Sequence, residues 1–113
     1  MSNKRNTSHF RVAIVSHDPE DVPSWVIEQV EKAGIEIICK ACRTKEELAE
    51  TGGQADVVWL FGGWNILGRE NVGHFDVLQA CGAVIRSGSG TDNIAVEQAT
   101  MRGILVCNTP DAT

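Results

Sequence analysis

No stretch of this 113-residue chain approaches the ~20 consecutive apolar positions of a membrane-spanning helix. Nor does an apolar segment behind a charged start mark a signal peptide. The chain is therefore expected in the cytoplasm, with no membrane partner. Basic charge is scarce as well: 10 Lys and Arg stand against 15 Asp and Glu, a net charge of −5. Nucleic acids and anionic lipid surfaces recruit basic proteins, so neither is expected as a partner. The only basic cluster, Lys4-Arg5, lies in the polar start "MSNKRNTSHF", which reads as a frayed terminus over residues 1–10.

The four cysteines lack the arrangement that metal or redox chemistry requires. Cys39 and Cys42 form a C-x-x-C, but such a redox pair normally sits at a helix N-terminus, which lowers the thiolate pKa. Here Cys39 lies inside "IEIICKAC", whose alternation reads as a strand. A structural zinc site needs a second pair, and Cys81 and Cys107 stand alone. All four are expected as free thiols packing like small hydrophobes, with no metal site.

What is present is an alternation of two periods. "RVAIVS" (11–16), "IEIICKA" (35–41), "DVVWLFG" (56–62), "AVIRS" (83–87) and "ILVCN" (104–108) are short apolar runs that read as strands. Between them lie helical segments. "WVIEQVEKA" follows Ser24 as a cap and stops at Gly34. A second opens on the capping box Thr44…Glu47 and ends at Gly52-Gly53. A third has its best helical character over 71–81 after a glycine-punctuated loop, and the fourth is "IAVEQATMR", capped by Thr91, Asp92 or Asn93. Strict alternation implies right-handed crossovers and a parallel sheet with helices on both faces. Five strands fit the flavodoxin-like, doubly wound order 2-1-3-4-5. That architecture wants a helix after strand five, and "TPDAT" supplies none, so one sheet face is expected to stay open.

In such sheets ligands bind beyond the carboxyl ends of the strands, where the strand order reverses. The order above brings "SHDPED" after strand one, "GGWN" after strand three and "SGSGTDN" after strand four to that place. The last of these has two glycines but no third at the G-x-G-x-x-G spacing, where Asn93 stands, so it is not the dinucleotide fingerprint. It reads as an anion cradle of backbone N–H groups at a helix entrance, or more plainly as a strand-to-helix turn needing positive φ. Trp64 is equally well a pocket wall or a cover on exposed core. His17 is a general base or, more simply, a solvated turn residue; His9 and His74 read as structural or surface residues.

Three functions of this fold fail on these loops. A phosphorylated receiver needs an aspartate at the end of strand three, where Phe61-Gly62-Gly63 stands; flavin phosphate wants a Ser/Thr-rich first loop, and "SHDPEDVP" is acidic; a self-contained hydride-transfer enzyme needs the full glycine fingerprint. The stretch "VIRSGSGTDNIAVEQATMRGILVCNTPDAT" nevertheless resembles the amino-terminal, substrate-binding domain of the D-isomer-specific 2-hydroxyacid dehydrogenases. The shared pattern is an apolar strand, G-x-G-x-D-N, a helix with small residues, R-G-I-x-V and N-T-P. It is specific over residues 83–110 and looser over 11–82.

That resemblance implies a substrate-binding domain over residues 11–108 and the start of an interdomain crossover at 109–113. Beyond it the family carries a Rossmann domain with the glycine fingerprint and the catalytic arginine, glutamate and histidine, none of which is in this stretch. It implies that the amides of Ser89 and Gly90 bind the carboxylate of a small 2-hydroxy or 2-oxo acid, with Gly63 and Trp64 also at the substrate. Asn108 and Thr109 fall near the cofactor, NAD or NADP in the complete enzyme, and Asn93 caps its helix and braces the cleft. No cofactor and no catalysis are expected of this chain alone. The competing reading is a stand-alone binding or assembly module that forms a homodimer through the uncovered sheet face.

Overall fold

The computed structural model describes residues 10–62, 64–87 and 94–109. Five parallel strands form one sheet: β1 (Arg11–Ile14), β2 (Glu36–Cys39), β3 (Val57–Phe61), β4 (Ala83–Ser87) and β5 (Leu105–Thr109), in the spatial order β2-β1-β3-β4-β5. This is the flavodoxin-like order that the alternation implied. The strands are two or three residues shorter than their apolar runs, except β4, which keeps its expected bounds, and β5, which is shifted one residue toward the carboxyl end.

The crossovers depart further from expectation. Helix α1 (Ser24–Lys32) does not use Ser24 as its cap: Pro23 occupies that position in extended conformation, its carbonyl accepting from Val26 N at 2.9 Å. Gly34, at φ +81°, supplies the left-handed residue that ends α1. Helix α2 (Lys45–Gly52) opens as expected, with Glu47 N donating to Thr44 Oγ1 at 3.1 Å. The Glu47 carboxylate returns to the N–H of Arg43, one residue earlier than a capping box requires.

The third crossover is not the α-helix expected over 71–81. It is a 3₁₀ segment, Arg69–Val77, broken at Asn71 (φ −125°, ψ 35°). The Asn71 side-chain amide donates to Asn65 O at 3.0 Å, a local bond that competes with the helical ladder. Helix α3 (Val96–Met101) starts two residues later than its apolar pattern and has Ala95 at the cap, without a side-chain bond. Thr91, Asp92 and Asn93 lie upstream of that position, so none is the cap. Ala95, at the cap in a non-helical conformation (φ −78°, ψ 82°), gives its N–H to Leu67 O at 2.9 Å, a tertiary partner for a group that no helix satisfies internally.

Handedness then distributes the crossovers. The move from β1 to β2 runs one way along the sheet, and every later move runs the other way. Right-handed crossovers therefore put α1 on one face and α2, the 3₁₀ segment and α3 on the opposite face. Burial agrees. Val58, Leu60 and Val84 point to the three-crossover face and are fully buried, in one core cluster with Leu48, Phe75 and Ala99. Their strand neighbours Trp59, Phe61 and Ile85 point the other way and are only half-buried, and Leu105, in register with Ala83, is 64% exposed. Among the described residues no helix follows β5, and α1 packs on β2 at the far edge.

Candidate functional site

The carboxyl ends of β1 and β3 meet beside each other, and their side chains interlock. Ser16, just past β1 and buried, accepts from Phe61 N at 2.9 Å through Oγ, which also lies 2.8 Å from His17 Nδ1. The His17 ring sits edge-on to Phe61 at 5.4 Å and 6.3 Å from Trp64. Gly62 ends β3 at φ +66°, a left-handed conformation that turns the chain over the sheet edge. Its N–H donates to Ser87 O at 3.1 Å, and Trp59 Nε1 donates to Ser87 Oγ at 2.8 Å, so the end of β4 is fastened to β3.

Trp64 is half-buried; it packs against the core cluster and lines a cleft. Its Nε1 donates to Cys42 O at 2.9 Å, across the loop that follows β2. Asp18 Oδ1 accepts from Ala41 N at 3.0 Å, fastening the β1 loop to that same segment. A further loop, residues 40–43, thus joins the loops that follow β1 and β3. Its Arg43 guanidinium stands 5.4 Å over the Trp64 ring. Nothing in the sequence points to Arg43 here, and His74, expected as a structural or surface residue, borders the same cleft. The signal for Arg43 is a long-range contact, Trp64 to Cys42, with no local pattern.

Of the expected site residues, Gly63, Ser89 and Gly90 lie outside the described residues, as do Asn93 and Pro110. Trp64 stands at the crevice. Asn108 lies in β5 opposite Arg86 of β4, and its Oδ1 is buried with no hydrogen-bond partner among the described residues. Thr109 ends β5 opposite Ser87.

The thiols behave as packing groups. All four cysteines are free, and burial pushes Cys39, Cys42 and Cys81 above the ordinary thiol range, which opposes thiolate chemistry. Among the described residues no cluster of His, Cys, Asp or Glu could hold a metal ion, and no helix is long and apolar enough to cross a membrane. The glycine pattern after β4 stops short of its third member, and the six-residue α3 begins at Val96 with the apolar Ala95 at its cap.

The catalytic-domain model of the D-isomer specific 2-hydroxyacid dehydrogenases matches residues 12–113. Among curated proteins, D-3-phosphoglycerate dehydrogenase of Methanocaldococcus jannaschii is 43% identical over 70 residues, 62% of this chain and 13% of the relative. Among solved structures, NAD+-bound 3-phosphoglycerate dehydrogenase of Entamoeba histolytica superimposes with a TM-score of 0.73 at 24% identity, over 91% of this chain and 33% of that one. A glyoxylate reductase from Paecilomyes thermophila gives 0.66 at 15% identity, over 91% and 33%. At those identities the structural likenesses speak for the fold. The chain spans about a third or less of each of these relatives.

Proposed function

The chain belongs to the D-isomer specific 2-hydroxyacid dehydrogenase family, and on that premise we propose that it is the substrate-binding lobe of an NAD(P)-dependent D-2-hydroxyacid dehydrogenase. The observation that carries this reading is the family match over residues 12–113, which runs through the whole described sheet. The lobe holds the acid's carboxylate on the backbone amides of Ser89 and Gly90, with Gly63 and Trp64 closing the crevice. The fastening of Gly62 to Ser87 supports this, because it holds the carboxyl ends of β3 and β4 side by side. The loop "GGWN" has no basic residue, which favours a small or flat acid.

Hydride transfer to or from the acid's C2 is then the work of a second, dinucleotide-binding lobe that supplies NAD(P) and the histidine and arginine. Asn108 and Thr109 are the residues of this chain that border the cofactor; the buried, unpartnered Oδ1 of Asn108 is an acceptor suited to a donor from outside the sheet. By itself the chain binds no cofactor and is not catalytic. Its free thiols suit the reducing cytoplasm.

A second reading has one observation in its favour. The half-open sheet face, with Leu105 64% exposed, is a surface on which two copies can pair as a stand-alone binding or assembly module. An NMR titration of the isotope-labelled chain with lactate and pyruvate separates the two. Saturable shifts at the amides of 62–65 and 87–93 are expected of the substrate lobe. A folded sample that answers to neither acid and runs as a dimer overturns it in favour of the module.

A further inference from the structure

The 3₁₀ segment and α3, neighbours on the three-crossover face, leave a groove between them that neither functional reading uses. It encloses about 450 Å³ and is lined in part by the buried Ile94 and Ala95. The 3₁₀ segment brings Arg69 and Val72 to it, and α3 brings Val96 and Glu97. One wall thus carries a cation and the other an anion, each with an exposed valine. Glu70, the acid next to Arg69 in the chain, does not border the groove. Among the described residues, ion pairs join Arg11 to Glu36 and Arg102 to Asp76 but reach neither Arg69 nor Glu97.

The two walls are held together at both ends of α3. Ala95 N, just before the helix, donates to Leu67 O at 2.9 Å, and Arg102, just after it, pairs with Asp76 of the 3₁₀ segment. The groove is therefore preformed, which spares a partner the cost of ordering it. Apolar surface continues along α3. Met101 lies one turn beyond Glu97 on the same side of the helix and is 78% exposed. With Val72 and Val96 it makes three of the seven large apolar side chains that stand exposed among the described residues, so such surface is concentrated here.

We propose that this groove is a self-pairing surface: α3 of each copy lies in the groove of a second copy of this chain. A two-fold axis makes the contact isologous, so what one copy offers the other receives. Arg69 then meets the partner's Glu97, and Glu97 meets the partner's Arg69, with the valines and Met101 packed between. Two copies of a chain of net charge −5 repel each other, so pairing needs a patch where opposite signs meet. A groove with a cation on one wall and an anion on the other supplies it twice over. No crevice residue takes part, so the inference stands apart from the substrate reading.

The test is sedimentation and light scattering of the full chain across the micromolar to millimolar range, for wild type and charge-reversed variants. Wild type is expected to dimerise, and less tightly as salt rises. Arg69→Glu and Glu97→Arg, both at exposed residues, are each expected to weaken the dimer at least about tenfold, because an isologous contact feels every substitution twice. Mixing these two variants is expected to restore pairing, and so is combining both substitutions in one chain. Recovery on mixing also shows that each variant is folded. Leu105→Lys, on the half-open sheet face, is expected to leave this dimer intact. A wild type that stays monomeric throughout overturns the inference. A dimer that Leu105→Lys abolishes and the charge reversals leave alone also overturns it, and assigns pairing to the sheet face. Loss of the dimer in both single variants without recovery on mixing overturns it equally.

Discussion

The two faces of the sheet are built from alternate residues of the same strands and end in different states. On the face crossed by α2, the 3₁₀ segment and α3, Val58, Leu60 and Val84 are fully buried. On the face that carries α1, Trp59, Phe61 and Ile85 are half-buried and Leu105 stands in solvent. Strand composition does not distinguish them, since both sets are large and apolar. Crossover direction does: one connection runs toward β2 and three run toward β5. Stability is therefore concentrated on one side, and the other side is left available for contact.

Paired truncations are the strongest way to break that comparison. Leu60→Ala on the closed face is expected to cost about 2–5 kcal/mol, the range for a fully buried leucine that leaves a cavity. Phe61→Ala, the next residue, is expected to cost well under half of that despite its larger side chain, because its surroundings are partly water. Denaturant melts of the two variants decide it, and equal losses would mean the open face is as well packed as the closed one.

A smaller effect comes from the helix that covers the closed face. Thr44→Ala removes the hydroxyl that caps α2 and should lower stability by about 1 kcal/mol in the same melts. Leu105→Lys tests the open face directly. It should shift stability by no more than about 0.5 kcal/mol, as a surface change does. Any dimer the wild type forms through this face should become a monomer by light scattering.

The smallest expected effect depends on pH. The Arg43 N–H, foremost, holds the Glu47 carboxyl below its ordinary value of 4.5. A carboxyl lowered on folding stabilises the protein above its unfolded pKa, and that contribution is lost as pH falls through the folded value. The gap in Tm between wild type and Glu47→Ala is thus expected to be open at neutral pH and to close in acid below about 4.

Much of this molecule was legible in its residues, for identifiable reasons. Strand order, the Thr44 cap and the Gly34 stop follow from local pattern plus a handedness rule, and all three appear in the structure. The third crossover was misread because the Asn71 side chain bonds Asn65 O, a contact that apolar periodicity does not encode. Helix α3 begins at Val96, later than its apolar pattern, and the Ala95 N–H goes to Leu67 O of another loop, a contact local pattern does not carry. At the site, the crevice residues His17 and Trp64 could be read from topology. Arg43 could not, because its loop reaches Trp64 through the bond to Cys42, 22 residues away in the chain, and His74 comes to the same cleft through its bond to Ile66 O. Sequence periodicity reports which face a residue takes within its own element and is silent about which loop leans on which.

The anchoring of Trp64 has an optical consequence. The chain has three tryptophans in three distinct settings. Trp25 is 65% exposed on α1, Trp59 lies on the half-open face bonded to Ser87, and Trp64 stands between crevice and cleft with a cation over its ring. Their emission divides the molecule into a solvent reference, a probe on the half-open face and a probe between crevice and cleft. Trp25→Phe removes the solvent-facing background and leaves two intrinsic fluorophores, one for each of the surfaces on which the two functional readings differ.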